Sequence, residues 1–479
     1  MVQFSTSVII RGGLLLLVAS VLGACGDGGG GEPDPTSPPV VVPPSAWGAR
    51  QPVELDSTGN MGNANVAVDG AGNAIAVWER TEGANTTIWG KLYIIGTGWT
   101  ATPVQLSGAI GASAPHVAVN AAGVTIAVWH EANRIKARRY LILTNSLEAT
   151  QDLGEADANP AVTAEAPKPK IAIDPSGSAI VVWHEFNGTV NNIFANRSVG
   201  GIWSGLTPME TEGGNATNPQ IAMDAAGNAI AVWQQDSAAG DEEIRGSRYT
   251  IAGGWAPFAT ALDHPTDTEA GVPQIAMNAD GAAIIVWREL AAAGGNVIYA
   301  RRYAAGIWAA PVAVSAVAGD NADAPQIAID QAGNGVAVWT QSQTVGGKVR
   351  VMASRYAANG TRSLAAAIDA NDFGDAGSPK IAMNAGGSAF VVWHALDSTL
   401  PTEQTRSIWS NRLVVGGTWN PTTAGSLESV AADNASVPMW RLTPMVVPPL
   451  CGNKLMVPSR ASSPHVSNKE FGALNRGGS

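Results

Sequence analysis

The chain has 479 residues, 45% of them hydrophobic and only 14% charged, with 55 glycines and a net charge of -11. That length exceeds one ordinary core and implies several domains or one repetitive architecture, while scarce charge and abundant Gly, Ala and Val exclude a disordered chain and a helical bundle. The acidic balance excludes a general nucleic-acid binder, because phosphate affinity needs a basic surface, and two cysteines, Cys25 and Cys451, cannot build a disulfide framework.

Residues 1–24 read as an export signal: Arg11 supplies the early positive charge and Leu14 to Leu22 a short apolar run, too short to span a bilayer comfortably. The run ends Leu22-Gly23-Ala24-Cys25, which resembles the lipobox of bacterial lipoproteins. The resemblance implies that Cys25 is diacylated and becomes the mature N-terminus, so that the membrane is the first expected partner. Each buried methylene of such a chain contributes about 0.8 kcal/mol. Gly26 stands where the family uses Asp for inner-membrane retention, which implies outer-membrane sorting. Residues 25–46, rich in Gly and Pro and without a period, read as a flexible tether.

From residue 47 to 435 one unit repeats. Its tryptophans are Trp78, Trp129, Trp183, Trp233, Trp287, Trp339 and Trp393, spaced by 50 to 54 residues, a period in the range of propeller blades. The fourth copy runs Pro219-Gln-Ile-Ala-Met-Asp224, Ala-Ala-Gly227-Asn, Ala229-Ile-Ala-Val-Trp233, then Glu243-Ile-Arg-Gly-Ser-Arg248-Tyr249 and Gly254-Trp255. Two alternating runs around Asp-x-x-Gly predict a β-hairpin with glycine at positive φ and the carboxylate capping the turn. The turn residue is Asp69, Asn120, Asp174, Asp224, Asn278, Asp330 and Asn384 in the seven copies. Asp and Asn alternate freely there, as an Asx-turn permits and a tight calcium site does not. Period two predicts Ile221, Met223, Ile230 and Val232 on large-residue faces, with Ala222, Ala229 and Ala231 opposite them. The tryptophans are expected between stacked sheets. An arginine recurs in the third strand as Arg139, Arg197, Arg248, Arg302, Arg355 and Arg412, with Leu92 departing in the first copy, and is expected to meet a neighbouring carboxylate or carbonyl.

The expected fold is therefore all-β, a propeller of seven four-stranded blades. The alternative is eight blades with the last incomplete. The segment Trp47 to Leu55, which echoes Trp99 to Leu106, is expected to close the ring as an outer strand. The repeat resembles those of bacterial β-propeller lipoproteins and the NHL-type repeat, whose core also runs apolar-Ala-apolar-Asp-x-x-Gly-Asn. That resemblance implies a scaffold and no chemistry. The tail, 436–479, loses the alternation. A frameshift near residue 438 would account for it, since another frame can restore the spacing of Gln274 to Trp287.

Catalytic motifs are absent from the sequence: there is no nucleophile elbow, phosphate loop, His-Glu-x-x-His or Cys-x-x-Cys. No cofactor is expected. His130, His184 and His394 follow the repeat tryptophan, where other copies carry Glu79, Gln234, Arg288 and Thr340, and read as strand ends near solvent rather than metal ligands. Glu131, Glu185 and Glu289, two residues past the tryptophan, read as solvated loop acids. The expected function is a monomeric, lipid-anchored binding scaffold, not an enzyme, at the bacterial envelope. Its ligand would be a protein or glycan, met through irregular insertions such as Ser237 to Glu242, Leu290 to Gly295 and Leu396 to Arg406. Two alternatives stand beside it, a glycan hydrolase or lyase working in the channel and a decaying, nonfunctional copy.

Overall fold

The computed structural model describes residue 53 and, with short interruptions in the connections, residues 59 to 426; Cys25, the tether, Trp47 and the tail lie outside the described residues. Seven antiparallel sheets span 60–105, 113–155, 170–208, 216–261, 270–313, 322–367 and 376–426. They form a ring, a seven-bladed β-propeller. In the fourth sheet the inner strand is Ala216–Met223, the second Ala229–Asp236, the third Glu242–Thr250, and the outer strand is split into Gly254–Trp255 and Thr260–Ala261. The seventh sheet takes its fourth strand, Gly425–Ser426, from its own sequence. The expected closing strand at 47 to 55 lies outside the described residues apart from Val53. Among the described residues the only helix is a 3-10 turn at Ile142–Thr144, and none is long and apolar enough to cross a membrane.

Alternation dictates the packing, but not with the faces the sequence suggested. Ile221 pairs with Ala231, Met223 with Ala229 and Ala222 with Ile230. Residues directly opposite on antiparallel strands share a face, so each face mixes large and small side chains. Ile221, Met223, Ala229, Ala231 and Trp233 meet Ile180 and Val182 of the third sheet. Ala222, Ile230 and Val232 meet Ala283, Ile285 and Trp287 of the fifth. A wide residue on one strand is seated beside a narrow one on the next, which interlocks the stack.

A repeat tryptophan sits in each of the six junctions between successive sheets. Trp129, Trp183, Trp233, Trp287 and Trp339 are fully buried, Trp393 and Trp78 nearly so. Truncating a buried aromatic of this size costs about 3–5 kcal/mol.

Six of the inner strands carry the same kink. Their register slips just after their first residues, as between Thr217 and Gln220, and the residue at the slip, Asn63, Ala114, Asn218, Val272, Ala324 or Ser378, has φ between 46° and 55°. All but Asn63 precede a proline, which bars the ordinary helical region for the residue before it. A proline is tolerated because the inner strand is an edge strand with no outer neighbour to receive its amide.

Candidate functional site

Chain direction sorts the connections onto two ends of the ring. One end carries the Asx turns, between inner and second strands, and the tight turns between third and outer strands. The other carries the connections between second and third strands and those from each sheet to the next. The three irregular insertions, 237–242, 290–295 and 396–406, all fall between second and third strands, at this second end.

At the first end the Asx residues are nearly consumed. Asp224 accepts from the Asn228 amide through Oδ1 at 2.8 Å and from the Asn228 side chain through Oδ2 at 2.8 Å. Asp69 with Asn73 and Asp330 with Asn334 repeat the pattern, while Asp174 accepts from the Ser178 amide and the Ser176 hydroxyl. At two of the three Asn turns the amide instead donates across the junction. Asn120 donates to the carbonyls of Asp174 and Pro175 in the following sheet, and Asn278 to those of Asp330 and Gln331. Asp and Asn are therefore not freely exchanged. Asp stands where the residue four later is Asn73, Asn228 or Asn334, and Asn where it is Val124 or Ala282, while serine follows either, Ser178 after Asp174 and Ser388 after Asn384.

The repeat arginines also face forward. Arg197 lies over the Tyr249 ring of the next sheet with Cζ 5.4 Å from its centroid, and Arg248 over Tyr303 at 5.6 Å. Arg302 donates to the Gly333 carbonyl and Arg355 to the Gly417 carbonyl, again one sheet on. Arg139 pairs with Glu148 at 3.4 Å and approaches Gly201 of the third sheet. Arg412, in the last sheet, is exposed.

The second end holds the carboxylates. Glu131 and Glu289 are buried, 6% and 3% exposed, and each accepts from the indole two residues earlier, Trp129 at 2.6 Å and Trp287 at 2.9 Å. Gln235 and Gln341 do the same for Trp233 and Trp339. The expectation of solvated loop acids fails for Glu131 and Glu289, because a buried indole N–H needs an acceptor. The signal was in the sequence as Trp-x-Glu/Gln. Trp78 is followed by Arg80, which cannot accept, and its Nε1 is buried with no partner among the described residues. The histidines also differ from expectation, since His184 and His394 are buried at 4% and 6%. His394 packs against Gly377 at the inner-strand kink, and His130 Nδ1 lies 3.3 Å from the Ser113 hydroxyl. Among the described residues no three His, Cys, Asp or Glu side chains are placed to hold a metal.

One junction stands apart. After four of the outer strands a polar residue caps a third-strand amide: Ser107 takes that of Ile88, Ser315 that of Ile298, Asp369 that of Val351, and Asp263 that of Ile244 at 3.1 Å. Between sheets four and five this cap faces other acids. Burial, with Glu243 and Glu289 adding repulsion, pushes the Asp263 carboxyl up to about 6 against the pull of the Ile244 amide. Tyr299 completes the group, stacked on Trp287 at 5.9 Å and touched edge-on by His264 at 5.4 Å. Its hydroxyl is pushed up by burial and by Glu289. Such a cluster can exchange a proton near neutral pH. Neither Asp263 nor Tyr299 stands out in the sequence, because no local motif brings residues of adjacent sheets together.

No family model matches the chain, and no curated protein matches it. Among solved structures, a lectin from Burkholderia pseudomallei is 12% identical, covering 76% of this chain and 99% of its own, with a TM-score of 0.46. The polysaccharide lyase Uly1 is 10% identical, covering 77% and 93%, with a TM-score of 0.46. A protein of unknown function from Dyadobacter fermentans is 11% identical, covering 63% and 95%, with a TM-score of 0.41.

Proposed function

We propose that the chain is an exported β-propeller, held to the outer membrane through lipid on Cys25, that binds a protein or glycan at the end carrying the irregular insertions and does not turn it over. One observation carries this reading. The polar residues that recur around the ring are taken up in holding it together, as Glu131 and Glu289 are by their indoles, which leaves the variable connections as the free surface. Loops set on a rigid scaffold are where recognition resides.

Titrating the full chain against a glycan panel and envelope extracts tests it. Saturable retention without turnover is expected. The reading falls if a glycan is cleaved and Asp263→Asn abolishes the cleavage. That outcome would favour the second reading, a glycan hydrolase or lyase, which draws on the raised Asp263 carboxyl beside Glu289. Acyl labelling beside a Cys25→Ser variant checks the anchor, and equal labelling would exclude that cysteine.

A further inference from the structure

The junction between sheets six and seven holds an open cavity of about 230 Å³ at the Asx-turn end, opposite the proposed recognition surface. Val336, Met383, Leu413 and Val414 give it aliphatic walls, and Arg355 and Asn334 line its polar side. The other junctions indicate what belongs there. The residue after the repeat arginine is Tyr140, Tyr249, Tyr303 or Tyr356 in four sheets, and its ring packs against the preceding sheet, as Tyr303 and Tyr356 do in their clusters. At two of these junctions the preceding arginine lies over the ring, Arg197 over Tyr249 and Arg248 over Tyr303. In the seventh sheet the residue is Leu413, packed against the sixth. The third sheet also lacks the tyrosine, but there Ser198 is completely buried and the junction has closed over it. Between sheets six and seven it has not.

We propose that this cavity is a binding site for a small phenolic ring, which takes the place the repeat tyrosine fills elsewhere. An apolar cavity of about 150 Å³ already suffices for a benzene ring. Arg355, which donates to the Gly417 carbonyl through one guanidinium nitrogen, supplies the cation over the ring face. That contact separates an aromatic ring from a saturated one of the same shape.

Isothermal titration of the full chain with p-cresol, the tyrosine side chain as a free molecule, tests the proposal, with 4-methylcyclohexanol as the saturated counterpart. The expected result is one saturable site with about threefold or greater preference for p-cresol. Leu413→Tyr should abolish that site and raise the denaturation midpoint of the unliganded chain. Val414→Phe, at a rim residue that is 52% exposed, should weaken binding without depending on a core change. N-acetyl-tyrosinamide distinguishes the sources: binding of both probes marks a tyrosine presented by a peptide, and binding of p-cresol alone a free phenol. No saturable p-cresol binding, equal affinity for the saturated ring, or undiminished binding in folded Leu413→Tyr overturns the proposal.

Discussion

The Trp287 indole donates to the Glu289 carboxylate at 2.9 Å inside the junction where Asp263 is the facing acid. One carboxylate thus serves as a packing partner for its own sheet and as a repulsive neighbour for the sheet before it. Glu289→Gln keeps an acceptor for the indole and removes the charge, so the Asp263 titration should move toward the ordinary carboxylate range with stability at neutral pH preserved. Glu289→Leu leaves the N–H buried and unpaired, at a cost of about 1–3 kcal/mol. Urea midpoints of the two variants, with the carboxyl titration followed by NMR, measure both effects.

Asp263 itself predicts a pH dependence of definite sign. Its folded value of about 6 lies above the unfolded value of 3.8, so the native state holds the proton more tightly. This group's contribution is fully present below the unfolded value and is lost as pH rises through about 6. Discounted for partial exposure, the loss is on the order of 1–2 kcal/mol. Asp263→Asn should flatten the stability profile between pH 4 and 7, and an unchanged profile from thermal melts across that range would contradict the assignment.

Gly227 has φ 84°, and a Cβ there would lie 2.9 Å from Asp174 Oδ2 in the preceding sheet and 2.9 Å from Ile251 Cδ1. Gly240 has φ 93° with nothing within 4 Å of the same position. Gly240→Ala should cost about 1 kcal/mol of backbone strain alone, and Gly227→Ala about 2–3 kcal/mol because the sheets must also part. Equal denaturation midpoints for the two variants would mean that the close approach does not matter.

The pairing of Asp224 with Asn228 predicts a coupled pair of substitutions. In Asp224→Asn the new amide faces the Asn228 amide, and flipping Asn228 withdraws the acceptor that its Oδ1 gives Ile251 N at 3.4 Å. The cost should be about 1–2 kcal/mol. Adding Asn228→Ala recreates the arrangement of Asn278 and Ala282, and should recover at least about 0.5 kcal/mol, a non-additivity that a double-mutant cycle reads directly.

Much of this architecture was written in the chain. The period of the tryptophans and the Asx turn each fix a local choice, and every copy repeats it, so the sheets and their ring follow from one unit. The matching of Asp or Asn to the residue four later is legible in the five copies where that residue is Asn, Val or Ala, and is left open where it is Ser178 or Ser388. The faces of the strands were not, because Ile221 and Ala231 share a face only after the hairpin register is set. Asp263 and Glu289 lie in different repeats, and their repulsion exists only when two sheets are pressed together. The cavity beside Leu413 is visible in sequence as a missing tyrosine, yet Ser198 marks a similar deletion that has closed. Which deletion leaves space is decided by how neighbouring side chains collapse.

The forward reach of the arginines gives the ring a polarity that symmetry alone would not. The repeat arginines Arg197, Arg248, Arg302 and Arg355 each reach the sheet translated after their own, whereas Arg138 and Arg301, one position earlier in the strand, donate to the sheet before. Cutting the chain after the third, fourth, fifth or sixth sheet therefore strands a repeat arginine on the newly terminal sheet, whereas loss from the front takes acceptors from Arg138 or Arg301 only when the last sheet removed is the first or the fourth. Shortening from the two termini should in consequence be unequally tolerated, and the front is the end from which repeats can be lost at less expense.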